Sequence, residues 1–409
     1  MMVSRRLGPS SENTRSAVLD MIRSSGTVSR IELAEMSGLT GTSITRIVKS
    51  LIDEGLVVES GFGDSTGGKR PSLLELNRSA RYAVGVSLDE ARLSYVVADL
   101  GGRVVGQLAT PGVAKKTPSE TLPRIAEELG QLFDHLGIPV EHVVGIGVAG
   151  AGLDLRSGGE GLSRAAVEWE SYPVQDVLEE TIGLPAVREN DAACAALAQY
   201  WVGQIPATDD VATLYMANGF GFGLVSGGTL SRGASSNVGE IGHMVIDVAG
   251  PPCWCGARGC LEALAAPRAI VDAAAANAPL RVELGIVGDD AHLRRDFDAV
   301  ARAAVRGDER CLALINRSAE YVATALLSTV NLLDLDRLFL AGPGFADAGA
   351  IYVGRIREAL VHARTRSIHP VTVEISDPGV DVAAVGAASL ALQYVLTPHT
   401  RVRRGRAGA

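Results

Sequence analysis

The chain has 409 residues, 47% of them hydrophobic, with a formal net charge of −9; this predicts two or three domains with sizeable cores. No apolar run approaches bilayer-spanning length, and the start carries charge without an apolar h-region, so no secretory signal is read and a cytoplasmic protein is expected. The acidic balance alone argues against nucleic-acid binding, but residues 1–80 hold ten Lys/Arg against nine Asp/Glu, so the negative charge lies beyond them and a DNA-binding module at this end remains compatible with it.

Residues 12–77 read as three helices and a β-hairpin. Val18, Leu19 and Ile22 fall at helical spacing. Ser29-Arg30-Ile31-Glu32 is a capping box that opens a second helix, with Leu33 and Met36 inward and Gly38 at its end. Thr40 caps a third helix, which puts Ile44, Ile47, Val48, Leu51 and Ile52 on one face and Thr42, Ser43, Thr45, Arg46 and Lys49 on the other. Two short helices joined by a tight turn, the second with a polar and basic outer face, make a helix-turn-helix whose outer residues meet base edges or phosphates. Leu56–Glu59 and Leu73–Leu76 are strands around a glycine-rich loop bearing Lys69 and Arg70, a wing suited to the DNA backbone or minor groove. A helical adaptor that dimerises is the alternative.

From Tyr82 the pattern becomes α/β. Strands are predicted at 83–86, 93–99, 104–106, 143–148 and 186–187, with helices at 122–136 and 174–181. Glu189-Asn190-Asp191 stands at the end of the last of these strands, ahead of an Ala-rich helix over 192–201. A second α/β half starts with a strand at 211–216. It contains several helices and strands at 337–341 and 371–375, and a closing helix at 383–396 packs back on the first half. Two such halves predict a cleft between them. The tail from Arg401 to Arg406 reads as a short basic end.

The densest chemistry lies in Gly239–Ala265. Three of the five cysteines, Cys253, Cys255 and Cys260, follow His243. Three thiols and an imidazole are a full tetrahedral set for structural zinc, and glycines at 250, 256 and 259 allow a tight wrap. Free thiols in a surface loop, or a disulfide with a spare thiol, are the other readings of the same residues.

The run Gly-Glu-x-Gly-His, nine residues, Cys-x-Cys-Gly, then Gly-Cys-Leu-Glu resembles the signature of the ROK family of sugar kinases and sugar-responsive repressors. Residues 12–77, with their Thr-Gly-Gly-Lys-Arg-Pro-Ser-Leu-Leu-Glu-Leu-Asn ending, resemble the winged helix-turn-helix of that family's repressors. The resemblance implies an α/β chain. A winged helix-turn-helix (10–78) is followed by a two-lobed actin-like, hexokinase-like (ribonuclease H-like) domain (82–400). Lobe one takes about 82–200 plus 383–396, and lobe two about 201–382 with the zinc motif 239–262. It implies zinc ligands His243, Cys253, Cys255 and Cys260, and sugar contacts Glu240, His243 and Glu262, with one ring nitrogen of His243 on zinc and the other toward sugar. In the family's kinases the aspartate matching Asp191 is the general base for the sugar hydroxyl; Asn190 and Asp191 are therefore candidate ligand contacts, and an aspartate capping the helix at Ala192 is the structural alternative.

Measured against the family's kinases, the first phosphate turn departs most. Its usual D-x-G-G-T matches Ser87 to Ala91, with Ser87 for the acid and Asp89 and Glu90 for the glycine pair. Carboxylates and β-carbons stand where polyphosphate would lie. The second turn, Ala217–Gly223, keeps glycines 219, 221 and 223 but has Asn218 for threonine, and the nucleoside-side turn reads Ala341-Gly342-Pro343-Gly344. No ATP is expected, and Asp191 becomes at most a vestigial base. An Asn common upstream of a Trp in the family is absent before Trp169, where Arg164–Glu168 stands.

The expectation is a DNA-binding transcriptional regulator, as a repressor released from operator DNA by a monosaccharide or sugar-phosphate effector, and working as a homodimer or dimer of dimers. An ATP-dependent sugar kinase with an appended DNA-binding module is the alternative. A body that docks a protein partner in place of a sugar is a third reading.

Overall fold

A computed structural model of the chain describes residues 11–63, 70–89, 91–113, 116–150, 169, 172–363, 365, 369–377 and 379–396, with side chains omitted at 11–13 and 394–396. Lys69, Glu90, Arg164–Glu168 and Arg401–Arg406 lie outside the described residues.

The N-terminal module runs α1 (Ser11–Ser25), β1 (Val28–Ser29), α2 (Arg30–Ser37), α3 (Gly41–Asp53), β2 (Val57–Phe62) and β3 (Ser72–Leu76). The capping box closes as read: Glu32 N–H donates to Ser29 Oγ at 3.3 Å and Ser29 N–H to Glu32 Oε2 at 2.7 Å. Thr40 caps α3, and Ile44, Val48 and Leu51 pack inward against Val18, Ile22 and Leu33. Met36 is a correction, since it is 49% exposed. In a helix of two turns the inward positions are Leu33 and Ser37, four apart, and Met36 falls beside that line. The hairpin β2–β3 is antiparallel with a bulge between Glu59 and Gly61, and β1 adds to β3 as a third strand.

Two sheets of equal design follow. The first contains β4 (Tyr82–Leu88), β5 (Arg92–Asp99), β6 (Val104–Pro111), β7 (Val143–Gly150) and β8 (Ala186–Asn190), in the order β6-β5-β4-β7-β8. Helices α4 (Pro118–Leu136), α5 (Val174–Ile182) and α6 (Asp191–Val202) belong to this half. The second contains β9 (Val211–Met216), β10 (Phe220–Ser226), β11 (Thr229–Leu230), β12 (Arg337–Ala341) and β13 (Thr372–Ile375), in the order β11-β10-β9-β12-β13. Each has three antiparallel strands and then two parallel ones. This duplicated topology is the ribonuclease H-like, actin-like fold.

Lobe two adds α7 (Leu261–Ala265), α8 (Pro267–Ala276), α9 (Ala278–Leu284), α10 (Leu293–Val305), α11 (Glu309–Leu333) and α12 (Gly349–His362). The closing helix α13 (Val382–Leu396) lies on the first sheet at backbone contact. A Cβ on Gly85 or Gly147 would come within 1.7 and 1.8 Å of the Ala384 and Ala387 carbonyl oxygens, which is why these strand positions carry no side chain. Of Ala217–Gly223, read from its glycines as the second phosphate turn, only Ala217–Gly219 turns: Phe220–Gly223 is strand, the first part of β10, which pairs antiparallel with β9.

Candidate metal centre and ligand cleft

The segment after β11 folds back as a loop held by two single bridges, Val245 with Cys260 and Pro252 with Arg258. Left-handed backbone at Gly256 and Gly259 (φ 92° and 66°) makes the reversal. The loop gathers His243, Cys253, Cys255 and Cys260, whose ligand atoms all lie within 4.8 Å of one another. Cys255 Sγ is 3.6 Å from Cys260 Sγ, and Cys253 Sγ is 3.6 Å from His243 Nδ1. All of these cysteines are free thiols. A tetrahedron with metal–sulfur bonds of 2.3 Å has edges of about 3.8 Å, so these separations fit one ion and are far too long for a disulfide. The residues can hold a metal ion such as zinc. Trp254 packs edge-on against the His243 ring, centroids 4.7 Å apart.

The other ring nitrogen of His243, Nε2, lies 4.0 Å from Glu240 Oε2. Glu262, two residues past Cys260, accepts from the Phe220 N–H at 3.0 Å, so it sits against the start of β10. Burial pushes its carboxyl up to about 7, with the Glu240 charge adding to the shift and the Phe220 N–H opposing it.

Asn190 and Asp191 stand where β8 becomes α6. Asn190 is the N-cap: its Oδ1 accepts from the N–H groups of Ala192 at 2.8 Å and Ala193 at 3.2 Å. Asp191 Oδ1 also accepts from Ala192 N–H, at 2.8 Å. Asp191 keeps partial exposure, yet loss of water pushes its carboxyl up to about 6, and the charges of Asp89 and Asp381 add to this. Ser87 is buried within β4. Asp89 Oδ1 accepts from Ala91 N–H at 2.9 Å.

Two acidic groups thus flank β10. Glu240, His243 and Glu262 lie at its start, and Asn190 and Asp191 are the cap and first residue of α6, whose Ala192 abuts Gly221 and Gly223. Sequence reasoning missed one member. Arg232, just after β11, donates from Nε to Glu189 Oε2 at 2.7 Å. The pair joins lobe two to lobe one beside Asn190, across 43 positions of sequence that carry no spacing signal. Trp169 is buried and donates from Nε1 to the Lys116 carbonyl at 3.0 Å.

On α3, Thr42, Thr45, Arg46 and Lys49 are exposed. Ser43 is half-buried, its Oγ 3.0 Å from Thr40 Oγ1 within the cap. Arg70, at the foot of the wing, is exposed.

A winged helix-turn-helix joined to a duplicated ribonuclease H-like body defines a class, and the comparisons agree. Residues 12–58 match a winged helix-turn-helix DNA-binding family and residues 92–394 match the ROK family. The chain belongs to the ROK family, in its transcriptional-regulator branch. It is 25% identical over 381 residues to a putative xylose repressor of Caldicellulosiruptor sp. (strain Rt8B.4), covering 93% of this chain and 95% of that one. It is 26% identical over 326 residues to the DNA-binding transcriptional dual regulator NagC of Escherichia coli (strain K12), covering 80% and 79%. Its fold matches the crystal structure of a ROK family transcriptional regulator, a homolog of the E. coli MLC protein, with a TM-score of 0.71 at 22% identity, covering 95% of this chain and 98% of that one.

Proposed function

We propose that the protein is a sugar-responsive, DNA-binding transcriptional regulator, a repressor released from its operator by a monosaccharide or sugar derivative. The observation that carries this reading is a winged helix-turn-helix packed onto a ROK body in which acceptor side chains lie on both sides of β10. A relative named a putative xylose repressor matches 93% of the chain, a span that takes in both parts.

The ligand contacts in this reading are Asn190, Asp191, Glu240, His243 and Glu262, whose carboxylates, amide and imidazole suit a ring of hydroxyls. Bound to His243, Cys253, Cys255 and Cys260, zinc is structural: it fixes the His243 ring and so presents Nε2 to the cleft. Thr42, Ser43, Thr45, Arg46 and Lys49 face the major groove, with Lys69 and Arg70 on the backbone or minor groove. Two copies read a two-fold operator. The body does not phosphorylate sugar, because Ser87, Asp89 and Glu90 replace the first phosphate turn and the carboxylates of Asp89 and Asp381 flank the place polyphosphate would take.

Thermal unfolding of the zinc-loaded protein with monosaccharides, amino sugars and their phosphates, each with and without Mg-ATP, tests this. A ligand that binds only the native state raises Tm by mass action. The expected result is a shift with one sugar class and none with Mg-ATP. A shift with Mg-ATP, accompanied by sugar phosphorylation, establishes the kinase instead. A flat response across the sugars favours a cleft or surface that receives a protein.

A further inference from the structure

We propose that α6 couples the cleft to the DNA-binding module, with Arg23 as the positioning residue that seats α1 on the C-terminal end of α6. This rests on the reading of a sugar-binding cleft. The N-terminal residues of α6 and its cap, Asp191 and Asn190, stand at that cleft. Ten residues further, about 15 Å along the helix, Trp201 stands at the junction with α1.

Arg23 belongs to the last turn of α1, where an exposed arginine would be read as a phosphate contact. It is 3% exposed and so is withheld from DNA. Its Nε binds Asp20 at 2.8 Å, and one terminal nitrogen donates to the Trp201 carbonyl at 2.9 Å, with the Tyr200 carbonyl at 3.4 Å. The other terminal nitrogen reaches the Ile205 carbonyl at 3.5 Å. The guanidinium lies 4.8 and 4.9 Å from the centroids of the Tyr200 and Trp201 rings, and the Tyr200 hydroxyl donates to Asp20 Oδ2 at 2.6 Å. Tyr200 and Trp201 lie in the last turn of α6, where their carbonyls also accept from the N–H groups of Ile205 at 3.2 Å and Gln204 at 3.3 Å and the helix dipole is negative, so a buried cation is held there by charge as well as by hydrogen bonds.

The helix itself sits at backbone contact on both sides. A Cβ on Gly386 of α13 would stand 1.7 Å from the Cys194 carbonyl oxygen, and one on Gly223 of β10 would stand 2.2 Å from that of Ala192. One neighbour belongs to the first lobe and the other to the second. Closing the lobes around a ligand moves β10 against α6, and contacts this close pass the motion on as a rigid shift rather than absorbing it. The far end of the rod is Trp201, and Arg23 and Asp20 grip it from α1. The shift therefore reaches the module that carries α3.

The test uses the full-length zinc-loaded protein, a duplex selected by it from random DNA, and D-xylose, D-glucose and N-acetyl-D-glucosamine as probes. Fluorescence anisotropy gives operator affinity with and without sugar, and calorimetry gives sugar affinity. In the wild type the active sugar is expected to weaken operator binding by about 5- to 150-fold. Arg23→Ala is expected to bind operator and to hold sugar within about 3-fold of wild type, while its response falls below about 2-fold. Arg23→Lys should recover part of the response. Tyr200→Phe removes one hydroxyl and keeps the ring, so it carries the test should Arg23→Ala not fold; its response should also drop. A folded Arg23→Ala, or a Tyr200→Phe, with the full wild-type response overturns the coupling and leaves the regulator reading intact. A wild type whose operator affinity ignores every sugar overturns the regulator reading and the coupling with it.

Discussion

Asp191 is a carboxylate placed where its ionised form is disfavoured. Burial removes much of its water, and Asp89 and Asp381 oppose a further negative charge. Its folded-state pKa, about 6, lies above the ordinary aspartate value of 3.8. The folded chain therefore holds this proton more tightly than the unfolded one does. The favourable contribution is complete below the unfolded pKa and is lost as pH rises through the window from about 4 to about 6. Asp191→Asn keeps an acceptor for the Ala192 N–H and removes the titration. The stability difference, wild type minus variant, should fall by up to about 3 kcal/mol across that window, followed by urea unfolding at each pH. A difference that stays flat means that Asp191 ionises as freely as in solvent. The general position of Asn190 and Asp191 was legible in the sequence, because a strand end followed by an Ala-rich helix places them at a sheet edge. Their division of labour was not: the cap is Asn190, and only hydrogen-bond directions tell it from its neighbour.

Elements were legible where local chemistry defines them. The Ser29–Glu32 box and the Thr40 cap are four-residue signals, and both helices start where those signals put them. β10 was not, because its glycines have a long-range cause. Gly221 and Gly223 leave room for Ala192 of α6, a helix that the one-dimensional pattern cannot bring alongside. The loop Gly239–Cys260 is a third kind of element. It has a short 3₁₀ turn at Ile241–His243, two single bridges in place of any longer ladder, and scattered backbone hydrogen bonds such as Ile246 N–H to the Gly259 carbonyl at 2.8 Å, so an ion bound by its side chains would add the cross-link that a ladder gives elsewhere. Removing metal with a chelator should lower Tm and open backbone amides 245–259 to hydrogen exchange, with sugar affinity weakened at the same time because Glu240 and His243 lie in the loop and Glu262 lies just past it. Cys255→Ser should reproduce this without chelator and lower the zinc content found by atomic absorption. Unchanged exchange on full metal removal would show that the loop is held by its own hydrogen bonds.

At the scale of the whole molecule, the winged helix-turn-helix is not a bead on a tether. Val18, Leu19 and Ile22 of α1 share one buried cluster with Leu197, Tyr200 and Trp201 of α6 and Leu390 of α13. The linker after β3 is tied down as well, by Leu100 N–H donating to the Arg78 carbonyl at 3.0 Å. Composition separated the two modules correctly as a change from helix-turn-helix to α/β patterning, but nothing in it foretold that they fuse their cores. Arg23 carries no signal in the sequence, and its role appears only once Tyr200 and Trp201 are seen around it. The energetic consequence follows from burial. Each aliphatic side chain taken fully out of water contributes about 1.5–3 kcal/mol, so the three on α1 contribute about 4.5–9 kcal/mol, shared between the module's own core and the junction and comparable with the whole stability of a small domain. The module should therefore unfold together with the first lobe. Differential scanning calorimetry and hydrogen exchange should place the amides of α1 and α6 in one cooperative unit. Ile22→Ala should lower that shared transition by about 2–5 kcal/mol, without releasing a separate early step for the N-terminal module. An independent low-temperature transition confined to residues 11–76 would mean that the junction is a loose contact, and a loose contact could not carry a signal from the cleft to DNA.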